Sequence, residues 1–225
     1  GDDARAFYIR ESFGTAFSSE YQDTYSASET LHDIEKIEHV LQTGKLQLNL
    51  FKPEGAQPGE VNLKAYNPGK PILLSSVFPI LENMGLNVDS ELPSKVVMED
   101  GKIVWVHDFS MRLENNESNS LGMDLLKPIF EQALFEILGG EVEDDRFNQL
   151  VLKAGISSEH ILILRGYLRY LRQTQFPFSK TYTENTLARF PEICRLLVDL
   201  FFARFDPRAK DDARVKKQQQ IKTAL

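Results

Sequence analysis

The order of helical and alternating segments between Tyr21 and Leu113 constrains the fold of this chain more than any other feature. A helical segment is followed by two segments in which apolar and polar residues alternate, then by a shorter helical segment and two further alternating segments. Successive side chains of a β-strand point to opposite faces of a sheet, so such alternation predicts strands. The residues therefore predict the element order αββαββ.

Local signals set the bounds of these segments. Ser26 and Glu29 have the spacing of a capping box, and Gly44 is placed to end the helix that they open. The residues predicted to face inward from this helix are Leu31, Ile34, Ile37 and Leu41. A shorter helix is predicted over Ser75–Asn83. Strands are predicted over Leu46–Leu50, Val61–Tyr66, Leu86–Met98 and Ile103–Leu113.

The topology that this order predicts is a permuted ferredoxin-like or ACT-like sheet. In the standard sheet, the first and last strands are adjacent and antiparallel. Joining those two strands by a hairpin and opening the chain elsewhere gives the order αββαββ, and Asp100-Gly101 is a typical hairpin dipeptide. We therefore predict that Ile103–Leu113 takes the first-strand position as an inner strand. Helices are expected to cover one face of a four-stranded antiparallel sheet.

The residues after Leu113 predict a second, all-helical part, so the fold class is α+β. Residues 114–120 are polar throughout and form the predicted linker. Helix starts are predicted at Pro128, Ser157 or Ser158, Ser179 and Pro191. The predicted organisation is an N-terminal helix over residues 1–20, an ACT-like domain over 21–113, a helical domain over 121–207 and a helical tail over 208–225. We expect that tail to be cut short, which makes the chain a segment of a longer polypeptide.

Composition argues against several classes of protein. The formal net charge of −7 disfavours a general nucleic-acid surface, because phosphate binding needs a basic face. No apolar run approaches the roughly 20 residues of a membrane span. The single cysteine, Cys194, excludes an internal disulfide and a cysteine-based zinc cluster, and it fits a reducing cytoplasm. Cys194 lies in an apolar helical segment and is interpreted as an inert small side chain.

Two groups containing histidine are candidate sites with simpler explanations. His32, Glu35 and His39 share a helix face at spacings of three and four residues, as metal ligands can. Because that face is polar and lies opposite the apolar stripe, we interpret it as solvated surface and predict no metal site. His107 lies within an apolar strand, so we interpret it as a hydrogen-bonded, half-buried sheet histidine rather than a catalytic base.

Two further groups are candidate contact surfaces in the helical part. Three arginines on one predicted helix indicate either a contact with an anion or another domain, or a solvated face with carboxylates nearby. They are Arg165, Arg169 and Arg172. The helix from Pro191 is apolar nearly all round, so part of its surface is expected to be exposed or buried by assembly. Phe202 and Phe205 represent this predicted assembly surface.

Six runs of sequence carry a family resemblance. They are residues 21–26, 71–86, 104–109 (Val-Trp-Val-His-Asp-Phe), 147–155, 168–179 (Leu-Arg-Tyr-Leu-Arg-Gln-Thr-Gln-Phe-Pro-Phe-Ser) and 188–193. In this order they cover most of the chain between Tyr21 and Pro207, and they resemble the large NAD-specific glutamate dehydrogenases of bacteria. The first twenty residues, the linker and the tail depart from the resemblance.

The resemblance implies a place within a parent enzyme. In that family, ACT-like modules and a helical segment precede the glutamate-binding and dinucleotide-binding domains, and this chain resembles the last ACT-like module and the helical connector. NAD would bind in the parent and no cofactor in this segment. The implied partners are the catalytic domains of the same polypeptide and the other subunits of a homo-oligomer. No catalytic, cofactor-binding or metal-binding residue of the family is carried over, because no Gly-x-Gly-x-x-Gly follows a strand here.

Three interpretations of function stay open at this point. The first is a regulatory or structural segment of an NAD-dependent glutamate dehydrogenase. The second is a free-standing ACT-like module that senses an amino-acid effector, although the strand–helix loop that often holds such a ligand is missing in the permuted order. The third is a stand-alone enzyme, which the missing site residues disfavour.

Overall fold

The computed structural model describes residues 2–114, 122–205, 207 and 211–224, and these form two compact units. The described residues of the first unit lie within 2–78 and 87–114, and those of the second within 79–86 and 122–224. The helices are α1 (Asp2–Phe13), α2 (Ser19–Thr24), α3 (Ala27–Thr43), α4 (Leu74–Asn83), α5 (Met123–Leu138), α6 (Leu150–Ala154), α7 (Ser158–Gln173), α8 (Lys180–Ala188), α9 (Pro191–Phe205) and α10 (Asp211–Ala224). The strands are β1 (Gln47–Phe51), β2 (Glu60–Pro68), β3 (Leu86–Val97) and β4 (Ile103–Leu113).

Helix α3 has the ends that the sequence predicts, but it turns a different face inward. Ser26 and Glu29 form the capping box, and Gly44 ends the helix in the left-handed conformation at φ 66°. The prediction that Leu31 faces the core is wrong, since its side chain is exposed. The buried residues are Asp33, Ile34, Ile37 and Val40. The helix is rotated so that a carboxylate, rather than Leu31, lies against the sheet.

The sheet confirms the permuted topology. Its spatial order is β1-β2-β4-β3, which is the standard order with β4 in the position of the first strand. Strand β4 is an inner strand that pairs antiparallel with β2, placing Lys64 opposite Asp108 and Leu63 opposite Phe109. Strand β1 pairs antiparallel with the other edge of β2, where Leu50 lies opposite Leu63. The α+β class and the four-stranded antiparallel sheet are therefore confirmed.

Helices cover both faces of this sheet, so the prediction of one covered face is wrong. Lys64 and Tyr66 bond to Asp33 of α3, and side chains alternate along a strand, so Leu63 points away from α3. Phe109 pairs with Leu63, and its ring packs edge-on against Phe78 of α4 with centroids 6.3 Å apart. The inner strand β4 is buried through most of its length on both faces, and a strand of that kind needs cover on each side.

Strand β3 is an edge of the sheet and is joined to β4 by a three-residue loop. Met98 N–H donates to Lys102 O and Gly101 N–H donates to Met98 O, so the loop holds one residue more than a two-residue turn. Gly101 supplies the left-handed residue of this loop at φ 81°. Val97 N–H donates outward to Ala16 O, so alternation along the strand places the nitrogen of Pro93 at the same open edge.

The second unit is helical, with most caps where the sequence predicts them. Ser157 and Ser179 cap α7 and α8, and Asp145 caps the short 3₁₀ segment over Arg146–Gln149. The prediction that Pro128 starts a helix is wrong, because α5 begins at Met123 and contains Pro128 within its second turn. The predicted linker lies almost wholly outside the described residues. Among the residues that are described, no helix combines the length and apolar character needed to cross a bilayer.

Candidate functional site

The largest polar site in the first unit is a buried ion pair between α3 and the sheet. Lys64 Nζ donates to Asp33 Oδ2 at 2.6 Å, and both side chains are almost completely buried. Tyr66 donates its hydroxyl to Asp33 Oδ1 at 2.6 Å, and the Tyr21 hydroxyl also bonds to this carboxylate. Burial and the adjacent Asp33 charge raise the pKa of both phenols, which keeps them protonated donors. Asp33 is thus held by one cation and two hydroxyl groups.

A second carboxylate extends this cluster across the sheet. Asp108 accepts hydrogen bonds from the Tyr25 hydroxyl at 3.0 Å and from Asn62 Nδ2 at 3.1 Å. Burial raises the pKa of Asp108, and the charge of Lys64 opposes that effect. Lys64 Nζ also lies 3.9 Å from the centre of the Tyr25 ring, in a cation–π contact. We call this group of six side chains and Asn62 the α3–sheet cluster; its members are Tyr21, Tyr25, Asp33, Asn62, Lys64, Tyr66 and Asp108.

The chemistry available to the α3–sheet cluster is that of a fastener rather than of a reaction centre. Its acceptors are filled by groups of the chain itself, and Asp33 and Lys64 are closed to solvent. Burying a lysine costs far less when a carboxylate is its partner and the remaining lone pairs are bonded. The cluster therefore fixes α3 on the sheet in one register, because any other register would leave a buried charge unpaired.

His107 lies on the opposite face of the sheet, within a second buried polar group. Its Nε2 accepts from the Ile72 backbone N–H at 3.0 Å, which assigns the ring proton to Nδ1. Nδ1 then donates to Glu91 Oε1 at 2.6 Å. The hydrogen-bonded sheet histidine is confirmed, although the side chain is fully rather than half buried. Both ring nitrogens are occupied, so the arrangement is structural.

The three predicted arginines have different surroundings. Arg165 is buried and holds Asp145 through Nε at 3.0 Å and Nη2 at 2.9 Å, and Nη2 also donates to Asn148 Oδ1 at 2.7 Å. Arg169 is exposed and forms an ion pair with Glu143. Arg172 is exposed. The structure therefore does not bring the three guanidinium groups into one exposed stripe, and a contact through Arg169 and Arg172 stays a prediction.

The other predicted site residues are placed as follows. Phe202 and Phe205 are exposed on α9, with 39% and 56% of their surface accessible, and they stay a predicted assembly surface. Burial raises the pKa of the Cys194 thiol to about 11, and Sγ donates to Leu187 O. His32 lies 4.0 Å from Glu35 on exposed surface. Within the described ranges, no three histidine, cysteine or acidic side chains converge as metal ligands do.

The α3–sheet cluster escapes reasoning from sequence for a specific reason. Lys64 alternates with Leu63 and Ala65, and in an alternating strand the polar residue ordinarily marks the solvent side. Asp33 lies between apolar helix positions and is ordinarily assigned to a helix surface. The available signal is that several polar residues fall on the inner side of adjacent strands, and it becomes visible only when the register places Lys64 opposite Asp108.

Comparison with known proteins supplies the context of these clusters. The chain matches three family models of glutamate dehydrogenase: helical motif 2 over residues 1–40, the ACT3 domain over residues 45–124 and helical motif 3 over residues 142–207. The matches follow one another along the chain and leave a short gap before the last. The α3–sheet cluster therefore joins side chains of the helical motif 2 match to side chains of the ACT3 match.

Curated relatives agree with these matches. An NAD-specific glutamate dehydrogenase of Halomonas elongata is 37% identical over 195 residues, which are 87% of this chain and 12% of that protein. The NAD-specific glutamate dehydrogenase of Mycobacterium tuberculosis is 31% identical over 218 residues, 95% of this chain and 13% of that protein. That of Pseudomonas aeruginosa is 29% identical over 225 residues, 99% of this chain. The chain thus spans only 12 to 14% of the length of the curated relatives that it matches.

Proposed function

Because this chain carries the helical motif 2, ACT3 and helical motif 3 segments of the NAD-specific glutamate dehydrogenases, we propose that it is a non-catalytic structural and regulatory segment of such an enzyme. The parent converts L-glutamate, NAD and water into 2-oxoglutarate, ammonia and NADH. The partners of this segment are the catalytic domains of the same polypeptide, which bind NAD, and the other subunits of a cytoplasmic homo-oligomer. An amino-acid effector is part of the proposal for its regulatory role.

The observation that carries this proposal is the α3–sheet cluster. Asp33 lies in the helical motif 2 match, whereas Lys64, Tyr66 and Asp108 lie in the ACT3 match. A buried ion pair with filled hydrogen bonds resists sliding, because each displaced position strands a charge. The helical motif and the ACT-like sheet therefore move as one body. A rigid body of this kind suits a part that holds other domains in place or passes displacement on to them.

The sequence offers no alternative use for the chain as a dehydrogenase. It contains no Gly-x-Gly-x-x-Gly, and the pair Gly139-Gly140 lies after α5 rather than between a strand and a helix. Backbone N–H groups at such a turn are what hold a dinucleotide pyrophosphate. The buried side chains with perturbed pKa values in the α3–sheet cluster are bonded to one another, with no opening for a substrate.

The test of this proposal is to assay the purified chain for both properties of the parent. We expect no saturable heat on titration with NAD in a calorimeter and no NADH absorbance with glutamate and NAD. The full-length parent, purified in the same way, is the positive control. Turnover by the chain that survives purification to homogeneity would contradict the proposal and favour a stand-alone enzyme.

A further inference from the structure

A second buried charge cluster lies in the helical unit, between α7, α8 and the segment that contains Asp145. Arg165 has 3% of its surface exposed, and its Nε and Nη2 atoms are fully used by Asp145, Asn148 and the carbonyl oxygen of Glu143. Its remaining nitrogen, Nη1, is buried and has no hydrogen-bond partner among the described residues. A buried guanidinium donor without an acceptor is costly, so this atom marks a place where an acceptor is favoured.

Glu184 of α8 is the nearest side chain that carries a carboxylate but is not bonded to Arg165. Its carboxylate is almost completely buried and lies 3.3 Å from Lys180 Nζ, in an ion pair that lacks hydrogen-bond geometry. Lys180 is shared, because Nζ also lies 3.7 Å from Asp145 Oδ2. Burial raises the pKa of Glu184, the Asp145 charge adds to that effect, and Lys180 and Arg165 oppose it. Glu184 is thus a poorly held carboxylate beside two cations.

The surroundings of Glu184 allow another carboxylate to reach the same place. Lys180 has 47% of its side chain exposed, so the cluster opens to solvent at this residue. Helix α8 has only nine residues and follows a break in which Gln175 adopts a left-handed conformation at φ 58°. A residue other than glycine in that conformation is strained. The helix that holds Glu184 is therefore short and is entered through a strained turn, which lowers the free energy needed to move it.

We propose that Arg165 and Lys180 form a binding subsite for the carboxylate of a small organic acid, and that the Glu184 side chain occupies this subsite when no ligand is bound. The ligand carboxylate pairs with Lys180 and accepts from Arg165 Nη1, and the Glu184 side chain swings out to solvent. Charge in the buried cluster is conserved by this exchange, since one carboxylate replaces another. Guanidinium groups favour carboxylates because the planar fork matches the two oxygens. The inference stands apart from the proposed function, because it concerns binding alone.

Direct titration of the 225-residue chain tests the proposal. Sodium acetate and sodium glutamate are titrated in a calorimeter against the wild type, Glu184→Gln, Glu184→Ala and Lys180→Met, with sodium chloride at equal concentration as the reference. Removing the competing carboxylate is expected to strengthen binding of both probes about tenfold, which corresponds to about 1.4 kcal/mol. Lys180→Met is expected to weaken binding to the same extent. Lys102→Met, which removes an exposed lysine of the first unit, is the matched control and leaves binding unchanged.

Each outcome decides the matter. Saturable binding by the wild type that strengthens in both Glu184 variants and weakens in Lys180→Met supports the subsite. Binding by Glu184→Ala alone means that the substitution created a cavity, and it overturns the proposal for the natural chain. Absence of saturable binding in every variant, or an equal loss in Lys180→Met and Lys102→Met, also overturns it. Far-ultraviolet circular dichroism of each variant is required to match the wild type, and Glu184→Gln keeps the test valid if Glu184→Ala unfolds.

Discussion

The buried pair of Asp33 and Lys64 determines how the first unit responds to substitution of single residues. Replacing one partner of a buried ion pair leaves the other charge uncompensated and costs about 3–5 kcal/mol. We therefore predict that Asp33→Asn lowers the free energy of unfolding by about that amount. The double variant Asp33→Asn with Lys64→Met is expected to lose less than Asp33→Asn alone, because no unpaired ammonium is left. Urea unfolding followed by circular dichroism measures both effects.

An exposed ion pair supplies the control for this comparison. Lys102 and Asp100 form a bridge of 2.7 Å, but more than half of each side chain is accessible to solvent. Exposed pairs are screened and contribute little. Lys102→Met is therefore expected to leave the unfolding midpoint where it is. An equal shift in Lys102→Met and Asp33→Asn would show that burial of the Asp33 pair has no special role.

Strand β3 shows how an element at the edge of a sheet is kept from pairing with another chain. Its outer N–H and C=O groups are unpaired except where Val97 bonds to Ala16, and a long edge strand is a template for aggregation. Pro93 interrupts the row of donors on that edge. We predict that Pro93→Val promotes association of the chain into larger species, which analytical ultracentrifugation over a range of concentrations measures.

A matched variant separates the backbone effect from added hydrophobicity. Ser90→Val introduces the same side chain at an exposed position of β3 but leaves the interrupting proline in place. Its sedimentation is expected to equal that of the wild type. If Ser90→Val associates as strongly as Pro93→Val, the apolar side chain rather than the restored donor causes the association.

At the scale of elements, the sequence predicts most of what depends on neighbours in the chain. The capping box at Ser26, the stop at Gly44 and the order of strands are local or topological, and the structure agrees with them. The errors concern which side of an element meets the rest of the fold. The exposure of Leu31, and the cover of both sheet faces, depend on where α3 and α4 cross the sheet, which no local pattern states. The α3–sheet cluster was missed for the same reason.

The arrangement of apolar surface on the helical unit bears on the whole molecule. Phe202 and Phe205 are exposed on α9, and their rings contact that of Phe201, so they form one patch. Exposed apolar patches of this kind usually mark contacts with other proteins or domains. We predict that changing both residues to serine in the full-length parent leaves the first unit folded but weakens assembly. Light scattering on the wild type and the variant measures the assembled mass.

Phe7 supplies the matched control for the assembly experiment. It is a phenylalanine on α1 with 67% of its surface exposed, so Phe7→Ser removes a comparable ring from the first unit. We expect its assembled mass to equal that of the wild type. Unchanged mass and unchanged activity in the Phe202 and Phe205 variant would mean that these rings serve only the local core.

The α3–sheet cluster also limits how this part of the enzyme can have been inherited. The matches to helical motif 2 and the ACT3 domain meet near Gly44, yet the side chains that hold them together come from both sides of that point. A genetic exchange with a breakpoint there would separate Lys64 from its carboxylate unless the incoming helix happened to carry another. Selection then acts on helix and sheet as a single heritable block, and covariation between positions 33 and 64 is its expected trace.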